Sequence, residues 1–195
     1  YGGLAAKFFK INFYALVTGV GYAFQGDSFK RKLLTKLVAI LYKSALKKAN
    51  EVIFHNKENC NLFVEKNIIS KLKTSVVNGS GVDIDKFNFE PSTIKNISFL
   101  CISRLLGEKG LREYAAAAKI VKKKFPNIIF NLVGPEDTSP DGISLNEVMT
   151  WSDYINYKGS TLDVRPFIKS ANIFILPSYH EGISRSILEA MSMGR

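Results

Sequence analysis

Residues 172–194, NIFILPSYHEGISRSILEAMSMG, decide the fold of this chain. Residues 172–177 form a short apolar run of the kind that becomes a buried parallel strand. Pro177 ends that strand, and Ser184 or Ser186 can cap the helix that follows it. The helix is expected to carry three apolar residues on its inner face: Ile187, Leu188 and Met191. A buried strand that leads directly into a helix is the repeating unit of a parallel α/β sheet.

Two glutamates flank the start of this helix, Glu181 in the preceding loop and Glu189 about a turn and a half inside it. Ligands of open α/β sheets bind at this edge, outside the carboxyl ends of the strands. On one continuous helix the two carboxylates would lie about 12 Å apart along the axis. A retaining glycosidase needs its carboxyl pair at about 5–5.5 Å. We therefore expect the glutamates to contact different parts of one elongated ligand. The alternative is that each is an exposed glutamate stabilised by the helix dipole.

The second half of the chain alternates between apolar strands and helices. Strands are predicted at 97–105, 127–133, 155–158 and 172–177, and helices at 110–125, 145–153, 164–170 and 184–193. Strands separated by helical segments of this length indicate βαβ units. The fold class is therefore α/β with a doubly wound parallel sheet.

The first half follows a similar order. Helices are predicted at 2–10, 28–50 and 57–67, and strands at 12–20, 51–55 and 74–82. The segment from 83 to 95 is polar, contains Pro91 and has no periodicity. We therefore predict two domains, residues 1–90 and 91–195. The chain starts without Met and stops just after a helix, so we expect it to be truncated at both ends.

The composition fits a globular protein of a reducing compartment. Hydrophobic residues make up 46% of the chain, and the formal net charge is +10. Cys60 and Cys101 have no metal-ligand spacing, and we expect both to be free thiols. There is no signal peptide and no apolar run long enough to span a membrane. These features predict a cytoplasmic location.

The predicted helix at 28–50 is strongly basic and has no acidic residue. Its cations are Lys30, Arg31, Lys32, Lys36, Lys43, Lys47 and Lys48. Its apolar face is predicted to consist of Leu33, Leu34, Leu37, Val38, Leu41, Ala45 and Leu46. Two interpretations remain open: peripheral binding to the anionic inner face of the cytoplasmic membrane, or an ordinary helix packed on the sheet with a solvated basic face. No nucleic acid partner is expected, because aromatic residues do not interleave with the basic cluster.

Two further cations follow the first strand of the second half. Arg104 leaves the carboxyl end of that strand, and Lys109 lies where the next helix begins. A guanidinium, an ammonium and the N–H groups of a helix start together form a good receptor for a diphosphate. The alternative is a pair of solvated surface cations. Their place on the same sheet edge as Glu181 favours the diphosphate receptor.

Two long stretches resemble the C-terminal domain of retaining GT-B glycosyltransferases of family four. They are SRLLGEKGLREYAAAAKIVKKKFPNIIFNLVGPE and YKGSTLDVRPFIKSANIFILPSYHEGISRSILEAMSMG. The E-x7-E pattern from Glu181 to Glu189 and the SRL…KG segment are the most specific marks. VTGVGYAF and VVNGSGVDIDKF are similar to the later part of the N-terminal domain in members that build bacterial surface polysaccharides, such as capsule and lipopolysaccharide O-antigen.

The resemblance implies two Rossmann-like domains, both incomplete in this chain. It implies that Arg104 and Lys109 neutralise the diphosphate of a nucleotide-sugar donor, that Glu181 touches the donor sugar and that Glu189 holds the ribose. The remaining donor-binding residues that it implies are Gly107, Gly134, Gly182, Ile183 and Ser184. Those on the acceptor side are Thr18, Gly19 and Gly21. Family members retain the anomeric configuration, without a required metal or cofactor.

The chain departs from the family at one potential catalytic position. Many members have a histidine just before the glycine that corresponds to Gly19, whereas this chain has Thr18. A catalytic histidine is therefore absent from that place. We interpret His55 as a packing or hydrogen-bonding residue. His180, beside Glu181, either touches the donor or is an exposed loop residue.

The Asp83-Ile84-Asp85 segment superficially matches the D-x-D metal motif of a different class of glycosyltransferase. It lies in the predicted interdomain segment and resembles the family's GVD connector. We therefore predict no metal site there.

The sequence thus predicts a glycosyltransferase that moves a sugar, an N-acetylhexosamine in our interpretation, from a UDP-linked donor to a polyprenyl-diphosphate-linked saccharide. The alternatives are a basic membrane-binding or nucleic-acid-binding protein on a Rossmann-like scaffold and an inactive fragment of a glycosyltransferase.

Overall fold

The chain folds as two units in a computed structural model that describes residues 2–24, 29–92 and 96–195, with Tyr22 described by its backbone alone. The units are Tyr1–Ser80 and Gly81–Arg195. The division therefore falls earlier than the boundary expected near residue 90. The physical reason is Phe87, which is buried in the core of the second unit with Leu100 and Val133.

The first unit is a parallel sheet with strand order β1-β2-β3. Its elements are α1 (Gly2–Phe9), β1 (Tyr14–Val17), α2 (Phe29–Leu46), β2 (Glu51–Phe54), α3 (Lys57–Glu65) and β3 (Thr74–Val76), with 3-10 turns at Tyr22–Phe24 and Lys71–Lys73. Tyr14 lies opposite Glu51, and Val52 lies opposite Thr74. Val52 and Phe54 alternate into the core, where Phe54 meets the ring of Phe63 edge-on.

Helix α2 packs on this sheet through a different face from the predicted one. Leu33, Leu37 and Leu41, expected to pack inward, are each more than half exposed. The face that packs carries Ala39 and Tyr42, which were not predicted, together with Leu46, which is buried as predicted. Tyr42 joins an aromatic cluster with Phe24 and Phe63. The predicted helix start at residue 28 lies outside the described residues.

The second unit is also a parallel sheet, with strand order β6-β5-β4-β7. Its elements are β4 (Ser98–Ile102), α4 (Leu111–Lys124), β5 (Ile129–Val133), α5 (Leu145–Met149), β6 (Asn156–Tyr157), α6 (Arg165–Ser170), β7 (Ile173–Phe174) and α7 (Arg185–Ser192), with a 3-10 turn at Gly107–Lys109. The chain adds β5 and β6 on one side of β4 and then crosses to add β7 on the other side. This reversal makes the carboxyl ends of β4 and β7 a topological switch point.

Helices cover both faces of this sheet, which confirms the predicted doubly wound fold. On one face, Cys101 and Leu132 pack with Tyr114 and Ala118 of α4. On the other face, the core is formed by residues from the sheet, from α6 and α7, and from the segment before β4: Phe87, Leu100, Val133, Ile168, Ala171, Ala190 and Met193. Apolar residues therefore dominate β4 (SFLCI) and β5 (IFNLV), because parallel strands are buried on both faces.

Two details of the closing stretch were predicted wrongly. Only Ile173 and Phe174 of the expected strand pair with β4, and Ile173 is 40% exposed because β7 has a neighbour on one side only within the described chain. Met191 is 63% exposed, whereas Ala190 and Met193 are buried. Helix α7 thus faces the sheet through a stripe shifted by about one residue from the predicted one.

Both cysteines are free and buried, as predicted. Cys101 lies inside β4, and burial raises the pKa of its thiol to about 12. Because only the thiolate is a good nucleophile, we expect Cys101 to resist alkylation by iodoacetamide at pH 8 in the native protein and to react promptly in denaturant. Peptide mapping by mass spectrometry would measure both rates. Native alkylation of Cys101 as fast as in denaturant would contradict its place in the core.

Candidate functional site

The loops that follow β4 and β7 contact one another at the switch point. The Tyr179 N–H donates to the carbonyl of Glu108 at 3.0 Å. The Tyr179 hydroxyl donates to Glu113 of α4 at 2.6 Å, which raises the pKa of Tyr179 and lowers that of Glu113. Gly110 lies directly against the backbone of Pro177. These contacts hold the turn before α4 and the loop before α7 together.

The two loops bring Lys109 and Glu181 into a short ion pair. Lys109 Nζ lies 2.8 Å from Glu181 Oε1 and 3.9 Å from Glu108 Oε1. The Lys109 side chain is 14% exposed and the Glu181 side chain 29%. The structure therefore places together two residues that were predicted from separate stretches of the sequence. A partly buried ammonium that is paired with carboxylates can also pair with another anion, such as a phosphate, when that anion displaces them.

The N-terminus of α7 follows in the same loop. Ser184 is the cap, and its hydroxyl accepts from the N–H of Ile187 at 3.5 Å. Its hydroxyl also lies 3.0 Å from that of Ser186. Gly182 and Ile183, both half-buried, lead into the cap. The first N–H groups of a helix carry a partial positive charge, so this end of α7 adds to the charge of Lys109.

The two glutamates of the E-x7-E pattern have different surroundings. Glu189 is 8% exposed, and its Oε1 accepts from the Arg185 guanidinium at 3.3 Å. Glu181 instead pairs with Lys109. Glu189 is therefore not the exposed glutamate that the alternative interpretation of the sequence expected.

Arg104 pairs with a residue that the sequence reasoning missed. Its guanidinium donates to Asp137 Oδ2 at 2.7 Å, and its side chain is 59% exposed. Hydrogen bonds from Ser139, together with Arg104, hold the pKa of Asp137 below its ordinary value. Asp137 follows β5, the strand next to β4, so its place at the carboxyl edge could have marked it. The structure does not bring Arg104 into the Lys109–Glu181 pair, and its role toward a diphosphate stays a prediction.

Gly107 and Gly134 allow close backbone approaches beside the site. A Cβ atom on Gly134, which has φ 155°, would overlap the carbonyl oxygen of Ser103. A Cβ atom on Gly107 would lie 2.7 Å from Asp141 Oδ1. Asp141, also missed from the sequence, accepts from the Glu108 N–H at 2.7 Å and so fixes the turn that carries Lys109. The two glycines shape the loops, and their contact with a donor remains a prediction.

The predicted acceptor-side residues lie in the first unit, directly after β1. Thr18, Gly19 and Gly21 are exposed at the carboxyl end of that strand. There is open space around both glycines. His55, at the end of β2, is 7% exposed, in keeping with a packing residue. His180, beside Glu181, is half-buried.

The structure gives the D-x-D segment a local role. Asp83 Oδ1 accepts from the N–H groups of Asp85 and Lys86 at 3.1 and 3.0 Å, which closes a turn. Among residues 2–24, 29–92 and 96–195, no cluster of three His, Cys, Asp or Glu residues is suited to a metal ion. Independence from metal remains a prediction.

A doubly wound sheet with a cation and a helix N-terminus at its switch point defines an α/β protein with an anion-binding edge. Residues 96–195 match the family described as "Glycosyl transferases group 1". The chain therefore belongs to this family. The resemblance to GT-B glycosyltransferases is thereby confirmed.

Curated relatives extend the similarity to the first unit. The chain is 32% identical to N,N'-diacetylbacillosaminyl-diphospho-undecaprenol alpha-1,3-N-acetylgalactosaminyltransferase of Campylobacter jejuni, with 100% of this chain and 54% of that protein covered. It is 28% identical to UDP-Gal:alpha-D-GlcNAc-diphosphoundecaprenol alpha-1,3-galactosyltransferase of Escherichia coli, with 89% and 48% covered. The chain thus spans about half the length of these relatives.

A solved structure shows the same fold. WaaG, a glycosyltransferase involved in lipopolysaccharide biosynthesis, matches with a TM-score of 0.70 at 14% identity, over 92% of this chain and 54% of WaaG. The chain therefore has the fold of part of a GT-B glycosyltransferase. Within the described ranges, no helix has the length and apolar character needed to cross a bilayer.

Proposed function

We propose that this protein transfers a sugar from a UDP-linked donor to a saccharide carried on a polyprenyl diphosphate. The observation that carries the proposal is the Lys109–Glu181 ion pair beside the N-terminus of α7 at the switch point. Family membership supports glycosyl transfer. The names of the C. jejuni and E. coli relatives support the lipid diphosphate acceptor, and the E. coli name supports UDP. An N-acetylhexosamine is the proposed sugar, as in the C. jejuni relative.

The site suggests how the donor would bind. The incoming diphosphate would replace Glu181 as the partner of Lys109, which is 2.8 Å away before the donor arrives. Released from the ammonium, Glu181 would accept hydrogen bonds from hydroxyls of the donor sugar. The N-terminus of α7 would meet the phosphates, and Glu189, one to two turns further along, would hold the ribose.

The same groups would accelerate bond cleavage. Breaking the bond between sugar and phosphate moves negative charge onto the leaving UDP. Lys109 and the N–H groups of α7 are held in place by the contacts between the two loops, so they stabilise this charge without rearranging. These fixed positive charges would make a metal ion unnecessary. We further propose that the anomeric configuration is retained, with the leaving phosphate helping to deprotonate the acceptor.

The proposal is tested with the full-length protein and a panel of nucleotide sugars, using a polyprenyl-diphosphate disaccharide as acceptor. We expect transfer from one UDP-sugar, unchanged by EDTA, and proton NMR of the product should show the anomer of the donor. The absence of transfer and of thermal stabilisation by any nucleotide sugar would contradict the proposed function. An inverted product would contradict retention alone.

An enzyme with a lipid-linked acceptor has to act at a membrane surface. The exposed side of α2 has the composition of a membrane-binding helix. Two stripes run along its exposed half, one of them reaching Lys47 just after the end of the helix. One is basic and consists of Lys32, Lys36, Lys43 and Lys47; the other, the leucine stripe, consists of Leu33, Leu34, Leu37, Ile40 and Leu41. Exposed leucines beside lysines are typical of helices that lie in the headgroup region. We therefore propose peripheral attachment to the inner face of the cytoplasmic membrane through α2.

Replacing one leucine of this stripe tests the attachment. Leu37→Asp should weaken binding to phosphatidylglycerol vesicles about 10- to 30-fold, because one leucine buried in lipid is worth about 2 kcal/mol. Ile120→Asp is the matched control, since Ile120 is a similarly exposed apolar residue on α4 (64% against 56%). Vesicle cosedimentation measures both. Equal binding by the two variants would contradict attachment through α2.

A further inference from the structure

An open groove lies in the first unit, at the end of the sheet opposite Thr18, Gly19 and Gly21. It has a volume of about 910 Å³. Its walls are the C-terminal half of α2, one residue of α1, and the segment from the end of α3 to the 3-10 turn before β3. Because β2 follows α2 and β3 follows that turn, the groove opens at the amino ends of the strands. It is therefore separate from the predicted acceptor side.

All the charged residues that line this groove are cationic. Five lysines line it: Lys7, Lys43, Lys47, Lys71 and Lys73. No aspartate or glutamate is among its described lining residues. In the described parts of the chain, none of the five ammonium groups forms an ion pair with a carboxylate. Lys73 Nζ donates to the carbonyl of Ala49 at 3.0 Å.

Helix dipoles do not balance this charge. The C-termini of α1, α2 and α3 each supply about half a negative charge at most. Five full positive charges therefore retain a net charge of about +3.5 around one concavity. Bringing like charges together costs free energy, and an anionic ligand would recover it.

The floor of the groove is apolar. It is formed by Ile40, Val64, Ile68 and Ile69. Ile68 and Ile69 are 3% and 9% exposed, so they belong to the packed core beneath the groove. A cationic rim over an apolar floor fits an amphiphile with an anionic head better than a free inorganic ion.

The groove is continuous with the membrane-facing side of α2. Ile40 belongs both to its floor and to the leucine stripe, and Lys43 and Lys47 belong both to its rim and to the basic stripe. Helix α2 has 18 residues and is therefore about 27 Å long. Its other end lies beside the Tyr22–Phe24 turn, where Thr35 donates to the carbonyl of Ala23. A helix lying flat on lipid would thus have this groove at one end and the acceptor side near the other.

We propose that the lysine-rimmed groove binds the phosphate headgroup of an anionic phospholipid and so fixes the orientation of α2 on the membrane. The inference rests on the proposed membrane attachment and adds a defined lipid site to it. The leucine stripe supplies apolar contact along the helix, and the groove determines which way the helix points.

Lys7→Glu/Lys71→Glu tests the site without touching α2. The matched control is Lys57→Glu/Lys123→Glu, which makes the same change in net charge at two exposed lysines outside the groove. The full-length variants are compared by cosedimentation with phosphatidylglycerol vesicles at fixed salt, and thermal unfolding checks that both are folded. We expect the groove variant to need about 10-fold more lipid for half-binding than the control.

A second lipid mixture tests recognition of phosphate. In vesicles of phosphatidylcholine with oleate, matched in surface charge to the phosphatidylglycerol vesicles, the net negative charge is on carboxylates, because choline neutralises the phosphodiester of phosphatidylcholine. We expect the difference between the two double variants to shrink on these vesicles. An equal loss of binding to phosphatidylglycerol vesicles in both double variants would contradict the lipid site in the groove but not the membrane attachment through α2. Failure of the wild-type protein to bind either vesicle would overturn both.

Discussion

Lys109→Ala is expected to lower kcat/KM for the nucleotide sugar by about 10²- to 10³-fold, as loss of a preorganised donor to a developing anion does elsewhere. The Lys109 side chain is only 14% exposed and lies between the two loops of the switch point, so water replaces its ammonium group poorly. Steady-state kinetics with the full-length protein measure the effect. Lys123→Ala, on the exposed face of α4, is the control and should keep wild-type activity.

The same variant makes a second prediction about Glu181. Without Lys109, the carboxylate of Glu181 would face the donor diphosphate and repel it. Glu181→Gln should therefore cost less activity in the Lys109→Ala background than in the wild-type protein, and a double-mutant cycle measures this coupling. Fully additive losses, or a Lys109→Ala enzyme within about threefold of wild type, would contradict the assigned roles.

Gly110→Ala is expected to destabilise the second unit by about 3 kcal/mol. Gly110 has φ 67°, and a Cβ atom there would overlap the carbonyl oxygen of Pro177. Both the backbone strain and the collision involve main chain, so no side-chain rotation relieves them. Urea unfolding, followed through the fluorescence of the buried Trp151, reports the free energy of unfolding of this unit.

Gly159→Ala separates the two contributions. Gly159 has φ 74°, but a Cβ atom there meets nothing within 4 Å. Both substitutions therefore strain the backbone, but only Gly110→Ala also creates a steric overlap. Gly159→Ala should therefore lower the free energy of unfolding by only about 1–2 kcal/mol. Equal destabilisation by the two substitutions would mean that the turn before α4 and the loop after β7 are not packed as described.

The parallel core of the second unit could be predicted because buried strands are apolar on both faces. Leu100 and Cys101, adjacent in β4, are both fully buried, and such runs are easily recognised. The ends of the strands were harder to predict. Leu105 makes only an isolated bridge to Glu136, because the chain turns toward the site after Ile102.

The packing of α2 shows that the buried face of a helix cannot always be predicted from its apolar residues. Four of its leucines stay exposed: Leu33, Leu34, Leu37 and Leu41. The face that packs into the core carries Ala39, Tyr42 and Leu46, because the small Ala39 allows close approach and Tyr42 completes an aromatic cluster. Periodicity identifies an apolar stripe but not which surface it meets, and here lipid is the proposed partner.

The candidate site was only partly predictable for a similar reason. Lys109 and Glu181 both follow strands at the carboxyl edge of one sheet, so their proximity could be expected from topology. The partner of Arg104 could not, because a long flexible guanidinium can turn toward any nearby carboxylate. The structure gives it Asp137, from the loop after β5.

A crystal structure of the full-length protein with UDP shows directly whether this edge of the sheet binds the donor. We predict diphosphate oxygens within about 3 Å of Lys109 Nζ and of N–H groups at the start of α7. We also predict that Glu181 has left the ammonium and that Glu189 contacts the ribose. UDP bound away from this edge, with the Lys109–Glu181 pair still closed, would contradict the proposed donor site.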